Sequence, residues 1–275
     1  MSSHSGDYVP GHAPREIERL IAQAKMVEPV TRRFFVEAGI TSGMRVLDIG
    51  SGVGDVAFLA ASLVGTTGEV IGIDRSTAAL DIARDRAAAL SLGNVRFEEV
   101  SLDDFRSDQH FDAIVGRYIL MYIPNAAAVL HGLIRHLRPG GLVCFHESVW
   151  VSARSFPPVP SWDRCCSWVV RASTPAMDFE MGSKLHLCFV RAGLAAPALR
   201  AESIIGAGSS SFDQVRSMAD VVIALLPHLE AIGVVSPGEV DPDTLAEKIF
   251  ADVAESESLV VGRTEIGAWS RVGAG

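Results

Sequence analysis

The stretch Met44–Asp55, MRVLDIGSGVGD, constrains this chain more than any other. Its first half, Met44 to Ile49, is a short apolar run, the pattern of a parallel strand buried on both faces, and it breaks abruptly into Gly50, Gly52 and Gly54. Helical periodicity then resumes in VAFLAASLV. A strand that passes through a glycine turn into a helix brings bare backbone N–H groups and the positive end of a helix against a ligand. Such a turn is a binding site for a small molecule.

The spacing narrows the ligand. The glycines form GxGxG and not the GxGxxG of a dinucleotide fingerprint, and Asp48 and Asp55 bracket the turn. Two carboxylates there repel a pyrophosphate but favour an ammonium or sulfonium group. The next apolar run, EVIGID, ends at Asp74, where the following parallel strand should finish and where a carboxylate can accept hydrogen bonds from ribose hydroxyls. Ribose and cation together suggest S-adenosylmethionine.

Four ordered segments extend the pattern: VLDIGSGVGD at 46–55, VIGID at 70–74, FDAIVGRYILMYI at 111–123 and LRPGGLVCFHE at 137–147. Together they resemble the class I S-adenosylmethionine-dependent methyltransferases over roughly residues 15–150. The resemblance implies an α/β fold: a Rossmann-like, seven-stranded, mostly parallel sheet with helices on both faces and a helical cap over the ligand side. It divides the chain into an N-terminal helical cap segment (1–43), a cofactor-binding core (44–149), and a remainder of the sheet whose helical insertions form a substrate lid (150–275).

Composition bounds the rest. With 275 residues, 48% of them hydrophobic, the chain can bury a sizeable core and is not disordered. Its net charge of -9, with no cluster of Lys and Arg, disfavours a nucleic acid partner and points to a small molecule. Cys144, Cys165, Cys166 and Cys188 lack the paired spacing of a zinc site, and no histidine motif has metal-ligand spacing, so no metal is expected. The cysteines read as buried thiols in a reducing compartment. No apolar run reaches the roughly 20 residues that a membrane span needs, so a cytoplasmic protein is expected.

In chain order, Pro14–Ala38 has helical spacing interrupted by Pro29, which predicts two helices. Strands are predicted over 44–49, 69–73, 94–99, 111–116 and 141–147, and helices over 54–64, 76–91 and 125–137, with Ser76 as a cap and Pro139-Gly140-Gly141 as a tight turn. Residues 150–175, rich in Trp and Pro, fit neither a strand nor one long helix. Helices at 179–192, 212–232 and 242–256, with strands at 197–205 and 264–272, complete the sheet.

The resemblance assigns roles to residues at the strand ends. Gly50, Ser51, Gly52 and Gly54 let the backbone approach the methionine portion of the cofactor, with Asp48 near its ammonium. Asp55 contributes there or only stabilises its helix. Asp74 takes the ribose hydroxyls, and Arg75 stacks on adenine or faces solvent. The family's Asp after the third strand is replaced by Ser101, so the adenine contact falls to Ser101 and Leu102 or to Asp103. Arg117 lies near the methionine carboxylate, and Tyr118 and Tyr122 face the transfer zone or the core. Covering segments of the N-terminus make Gln23, toward the cofactor, and Tyr8, toward the substrate, candidates that equally fit a plain surface.

A sulfonium methyl is already electrophilic, so the protein's tasks are to align a nucleophile and exclude water. If the acceptor is a phenol or alcohol, His146 and Glu147 are the best-placed catalytic pair to take its proton. Trp150, Trp162 and Met177, with other apolar residues after Glu147, suit an aromatic or polyketide-like acceptor of secondary metabolism; they equally suit cap packing or a homodimer contact. The expectation is methyl transfer to a small, largely apolar metabolite, on oxygen before nitrogen or carbon. The alternatives are a cyclase or isomerase that uses the cofactor as a fixed positive charge, and a non-catalytic binding subunit.

Overall fold

The structure, a computed structural model, describes residues 14–273. Helix α1 (Pro14–Ala38) leads into β1 (Arg45–Ile49), α2 (Asp55–Val64), β2 (Glu69–Asp74), α3 (Thr77–Ala89), β3 (Val95–Glu99) and β4 (Phe111–Arg117). Then come α4 (Ala126–Leu133), β5 (Leu137–Val149), β6 (Arg154–Phe156), α5 (Pro160–Arg171), α6 (Met181–Arg191), β7 (Ala198–Ala207), α7 (Phe212–Ala231), α8 (Leu245–Glu255) and β8 (Leu259–Arg271). Eight strands are hydrogen-bonded in the order β3-β2-β1-β4-β5-β8-β6, with β7 also paired to β8.

The chain forms two compact units. The sheet unit comprises residues 27–147, 183–200 and 266–273; the helical unit comprises 14–26, 148–182 and 201–265. In the sheet unit β3, β2, β1, β4 and β5 run parallel, with Val46 opposite both Val70 and Ala113, and Val115 opposite Cys144. Strand β1 therefore sits between β2 and β4, where chain order reverses, and ligands in open α/β sheets bind beyond the strand ends at that point. Its core joins Val46, Val70, Ala113, Val115 and Cys144 of the strands to Ala57, Ala60, Leu80 and Ala83 of the helices, all buried. Ser76 caps α3 as expected, accepting from the Ala79 N–H at 3.3 Å.

The helical unit packs α5, α7 and α8 against one another. The apolar stripes that meet are Trp162, Cys165 and Val169 of α5, Met218, Val222 and Leu225 of α7, and Ile249 and Val253 of α8. Strand β6 runs antiparallel to β8, with Ser155 opposite Val260.

Three expectations need correction. Residues 14–38 form one helix, not two: Val27, Val30, Phe34 and Phe35 are buried on both sides of Pro29, and Pro29 itself is exposed. An interior proline costs about 3 kcal/mol, whereas each large buried side chain contributes about 1.5–3 kcal/mol, so keeping the stripe in phase wins. Residues 150–175 do contain regular structure, with β6 the eighth strand and α5 started by Pro160 in its first turn. The Pro139-Gly140-Gly141 turn lies inside β5 as a bulge, since Phe111 faces Leu137 and Ala113 faces Leu142. The preceding helix α4 is accordingly shorter than predicted.

Candidate functional site

The glycine turn after β1 has the conformation its sequence demands. Gly50 has φ +64° and Gly52 φ +51°, the left-handed region that side chains rarely adopt. A Cβ on Gly50 would lie 2.4 Å from the Ile119 side chain, so the loop after β4 packs directly on bare backbone here. The Gly52 N–H donates to Asp74 Oδ2 and the Ser76 N–H to Asp74 Oδ1, both at 2.9 Å. Two backbone donors thus fix the Asp74 carboxylate at the end of β2, and a carboxylate has about four acceptor positions, enough for further partners.

Asp48 is the unusual member. It is 1% exposed, and neither carboxylate oxygen has a hydrogen-bond partner among the described residues; the Ser51 hydroxyl beside it is also unpartnered. Burial pushes the Asp48 carboxyl well above the ordinary carboxylate range, against the pull of Arg117 and with a further push from Asp74; the Ala57 N–H adds a weaker pull from outside hydrogen-bond geometry. A buried polar group with no partner costs about 1–3 kcal/mol or more, so such a residue is a poor choice for stability alone. Acceptors without donors fit an incoming ammonium, which brings three donors and a positive charge. The floor of the turn therefore suits the amino group of an amino acid moiety.

Asp55 is already engaged: Arg86 pairs with it at 2.7 Å and lies over the Phe58 ring, tying α2 to α3. Arg75 is exposed. The Ser101 hydroxyl donates to Asp104 at 2.7 Å and accepts the Asp104 N–H, closing a local turn, while Ser101 and Leu102 are half-buried and Asp103 is exposed.

At the ends of β4 and β5 the side chains form one connected group. Arg117 donates to the Thr31 hydroxyl at 3.0 Å, and Thr31 donates to the Val27 carbonyl at 3.1 Å. With its single proton so used, Thr31 accepts from His146 Nδ1–H, 3.0 Å away. His146 is fully buried, edge-on to Phe34 with ring centres 5.0 Å apart and 5.3 Å from Tyr118. Tyr118 has φ +53°, a strained backbone for an aromatic residue, and its N–H donates to the His146 carbonyl. Glu147, also fully buried, accepts the Ile119 and Leu120 N–H groups at 3.0 and 2.8 Å through one oxygen. Glu147 thereby clamps the strained turn whose Ile119 covers Gly50. Tyr122 is half-buried in the same loop.

The sheet unit thus brings together Asp48, the glycines, Asp74, Arg117, Tyr118, His146 and Glu147. Gln23 belongs to the helical unit, where it accepts from Arg19 at 2.7 Å, and Tyr8 lies outside the described residues. Trp150 and Trp162 line a narrow cavity of about 20 Å³ in the helical unit, together with Met218, Gln214, Arg263 and Glu265. Met177 is buried there as packing, whereas Phe156 is 76% exposed. A wider cavity of about 400 Å³ in the same unit is lined by Trp168 and Cys165 with the charged Arg164, Lys248 and Asp252. The four cysteines are free and buried, and burial pushes Cys165 up to about 12, which leaves it unreactive. Thr31 and Ile119 carry no sequence signal; only the fold places them beside His146 and Gly50.

A family model described as a methyltransferase domain matches residues 40–185. A 2-phytyl-1,4-naphthoquinone methyltransferase from Synechococcus elongatus is 46% identical over 136 residues, covering 48% of this chain and 57% of the relative. A ubiquinone/menaquinone biosynthesis C-methyltransferase from Pseudomonas putida is 35% identical over 119 residues, 42% of this chain and 46% of the relative. The chain thus spans about half the length of the curated relatives it matches. Among solved structures, a methyltransferase described as SAM-dependent, from Aquifex aeolicus, superposes with a TM-score of 0.53 at 20% identity, covering 70% of this chain and 94% of that one, and so shares the fold.

Proposed function

Because the chain belongs to the methyltransferase-domain family, we propose that it transfers a methyl group from S-adenosylmethionine to a small, largely apolar acceptor. The observation that carries this reading is Asp48: a fully buried carboxylate at the end of β1 with neither oxygen partnered among the described residues, beside a glycine turn. Asp48 would receive the cofactor's ammonium, Gly52 and Gly54 would admit its backbone-hugging chain, and Asp74, held by two N–H groups, would accept from ribose hydroxyls. Once bound, the cofactor supplies an electrophilic methyl on a cationic sulfur. Arg117 would meet the amino acid carboxylate, and Glu147 positions the turn that roofs Gly50. The acceptor class is supported by the quinone-directed names of the relatives.

The accepting atom is the finer point. Oxygen is the expectation from the sequence, and carbon is the atom in the name of one relative. Incubation with the cofactor and naphthalene-1,4-diol should release S-adenosylhomocysteine and give a product heavier by one methylene unit. Proton NMR of that product separates an O-methyl from a C-methyl group. A rearranged product of unchanged mass would overturn methyl transfer, and absence of S-adenosylhomocysteine binding in calorimetry would overturn the cofactor assignment.

A further inference from the structure

Thr31 lies in the interior of α1, fully buried, and its hydroxyl is used to capacity. It donates to the Val27 carbonyl at 3.1 Å, the back-bond that a helical threonine ordinarily makes. Its two lone pairs accept Arg117 Nη1–H and His146 Nδ1–H, each at 3.0 Å. One hydroxyl thus joins α1 to the ends of β4 and β5, all within the sheet unit. The His146 ring is itself held in place, edge-on to Phe34 and beside Tyr118.

Arg117 has capacity to spare. A guanidinium carries five N–H donors, of which the Thr31 hydroxyl takes one, while the Tyr118 ring lies 5.8 Å from the guanidinium carbon. The side chain is half-buried and forms no ion pair with a carboxylate among the described residues. Asp48 stands opposite Val115 in the register of β1 and β4, and Arg117 follows two residues later, so the pleat sends both side chains to the same face of the sheet. Burial holds the Asp48 carboxyl up, and Arg117 is the strongest charge acting against it. The glycine crevice therefore has a carboxyl without hydrogen-bond partners on one strand and a guanidinium without an ion pair on the next. The ammonium and carboxylate of an α-amino acid match that pair. On the cationic side the difficulty is order: an arginine side chain is rich in rotamers, and ordering it at the moment of binding lowers affinity. The Thr31 hydroxyl orders it beforehand, in the fork that a carboxylate needs.

We propose that Thr31 is a positioning residue for the amino acid carboxylate of the cofactor: it presets the Arg117 guanidinium for that carboxylate, with His146 as its buttress. The inference rests on the methyltransferase reading for the identity of the ligand.

The test compares S-adenosylhomocysteine with its decarboxylated analogue, S-adenosyl-3-thiopropylamine, by calorimetry on the full chain. The parent should bind the first about thirtyfold tighter, since the second has no group for Arg117. In Thr31→Val, which removes the hydroxyl and keeps the branched shape, that ratio should fall to about threefold with affinity for the analogue unchanged. Thr31→Ala removes the hydroxyl without pressing a methyl against the two donors and should behave in the same way. Thr31→Ser keeps the hydroxyl and should keep most of the ratio. In an Arg117→Met background Thr31→Val should change the ratio by less than about twofold, because the residue it acts through is gone. Equal losses for both ligands, or a ratio unchanged in the valine and alanine variants, would overturn the positioning role and leave Thr31 as packing. A parent chain that binds the two ligands equally would overturn the Arg117 contact and this inference with it, whereas a parent that binds neither would strike the cofactor assignment itself.

Discussion

The sheet unit and the helical unit both bury polar groups without partners among the described residues, yet those groups differ in charge. In the crevice the orphans are the Asp48 carboxylate and the Ser51 hydroxyl, within four residues of each other. A charged acceptor calls for a cation. In the helical unit the orphans are one neutral donor on Trp162 of α5 and one neutral acceptor on Gln214 of α7, separated by dozens of residues. Neither carries a charge for an ion to meet. The difference teaches that the sign and balance of unmet hydrogen bonds identify a ligand's chemistry, whereas only local spacing makes the site legible before folding.

The largest expected effect tests whether the cavity's charges are held for chemistry. Glu265→Leu takes one carboxylate from the buried Arg263 and should cost about 3–5 kcal/mol in denaturant unfolding. The double change Arg263→Met with Glu265→Leu should recover most of that loss, because an apolar pair of similar volume replaces the ions. A double variant as unstable as the single would show that the pair supports the fold itself, and the contrast with the crevice would weaken.

In the crevice the corresponding change is Asp48→Asn. Loss of the charged partner for an ammonium should weaken S-adenosylhomocysteine binding about a hundredfold in calorimetry. Stability should move the other way. The Asp48 carboxyl is raised in the folded chain above its ordinary value of 3.8. As pH rises the unfolded chain therefore loses this proton first, and the folded state bears a penalty that begins near the unfolded value and is complete only above the raised one. Asn carries no such penalty, so the ligand-free variant should melt higher than the parent chain at about pH 7, with the gap closing toward about pH 3. By the same sign, cofactor affinity of the parent chain should fall as pH drops through the raised value. An Asn variant less stable than its parent at neutral pH would mean that Asp48 is satisfied in the ligand-free chain.

These outcomes bear on what the sequence could reveal. Strands β1, β2, β4 and β5 and the glycine turn were legible because each is a contiguous apolar run or a backbone conformation that only glycine supplies. Ser76 was legible as a cap for the same local reason. Pro29 misled, because its local cost is outweighed by burial of Val27 and Phe34, which only the tertiary structure shows. Strand β6 escaped because three residues, Arg154–Phe156, are too few for periodicity to register. Trp150 and Trp162 line a cavity whose polar wall, Gln214, Arg263 and Glu265, was invisible. Arg and Glu alternate on β8 in a phase that reads as a solvent face until the sheet is assembled.

Glu147 offers the smallest and sharpest probe, since it separates a proton acceptor from a residue that holds the crevice in shape. One of its oxygens takes the N–H groups of Ile119 and Leu120, just after the strained Tyr118, and Ile119 packs on Gly50. If positioning is its task, the clamp needs an acceptor but no titratable proton. Glu147→Gln keeps an amide oxygen at that place, and its affinity for S-adenosylhomocysteine should fall by about threefold or less; Glu147→Leu removes the acceptor and should lose about tenfold, with the Michaelis constant for the cofactor rising more than turnover falls. A proton-accepting role predicts another pattern: Gln and Leu would be equally impaired in turnover, cofactor affinity would be unchanged, and the pH profile would lose its acidic limb.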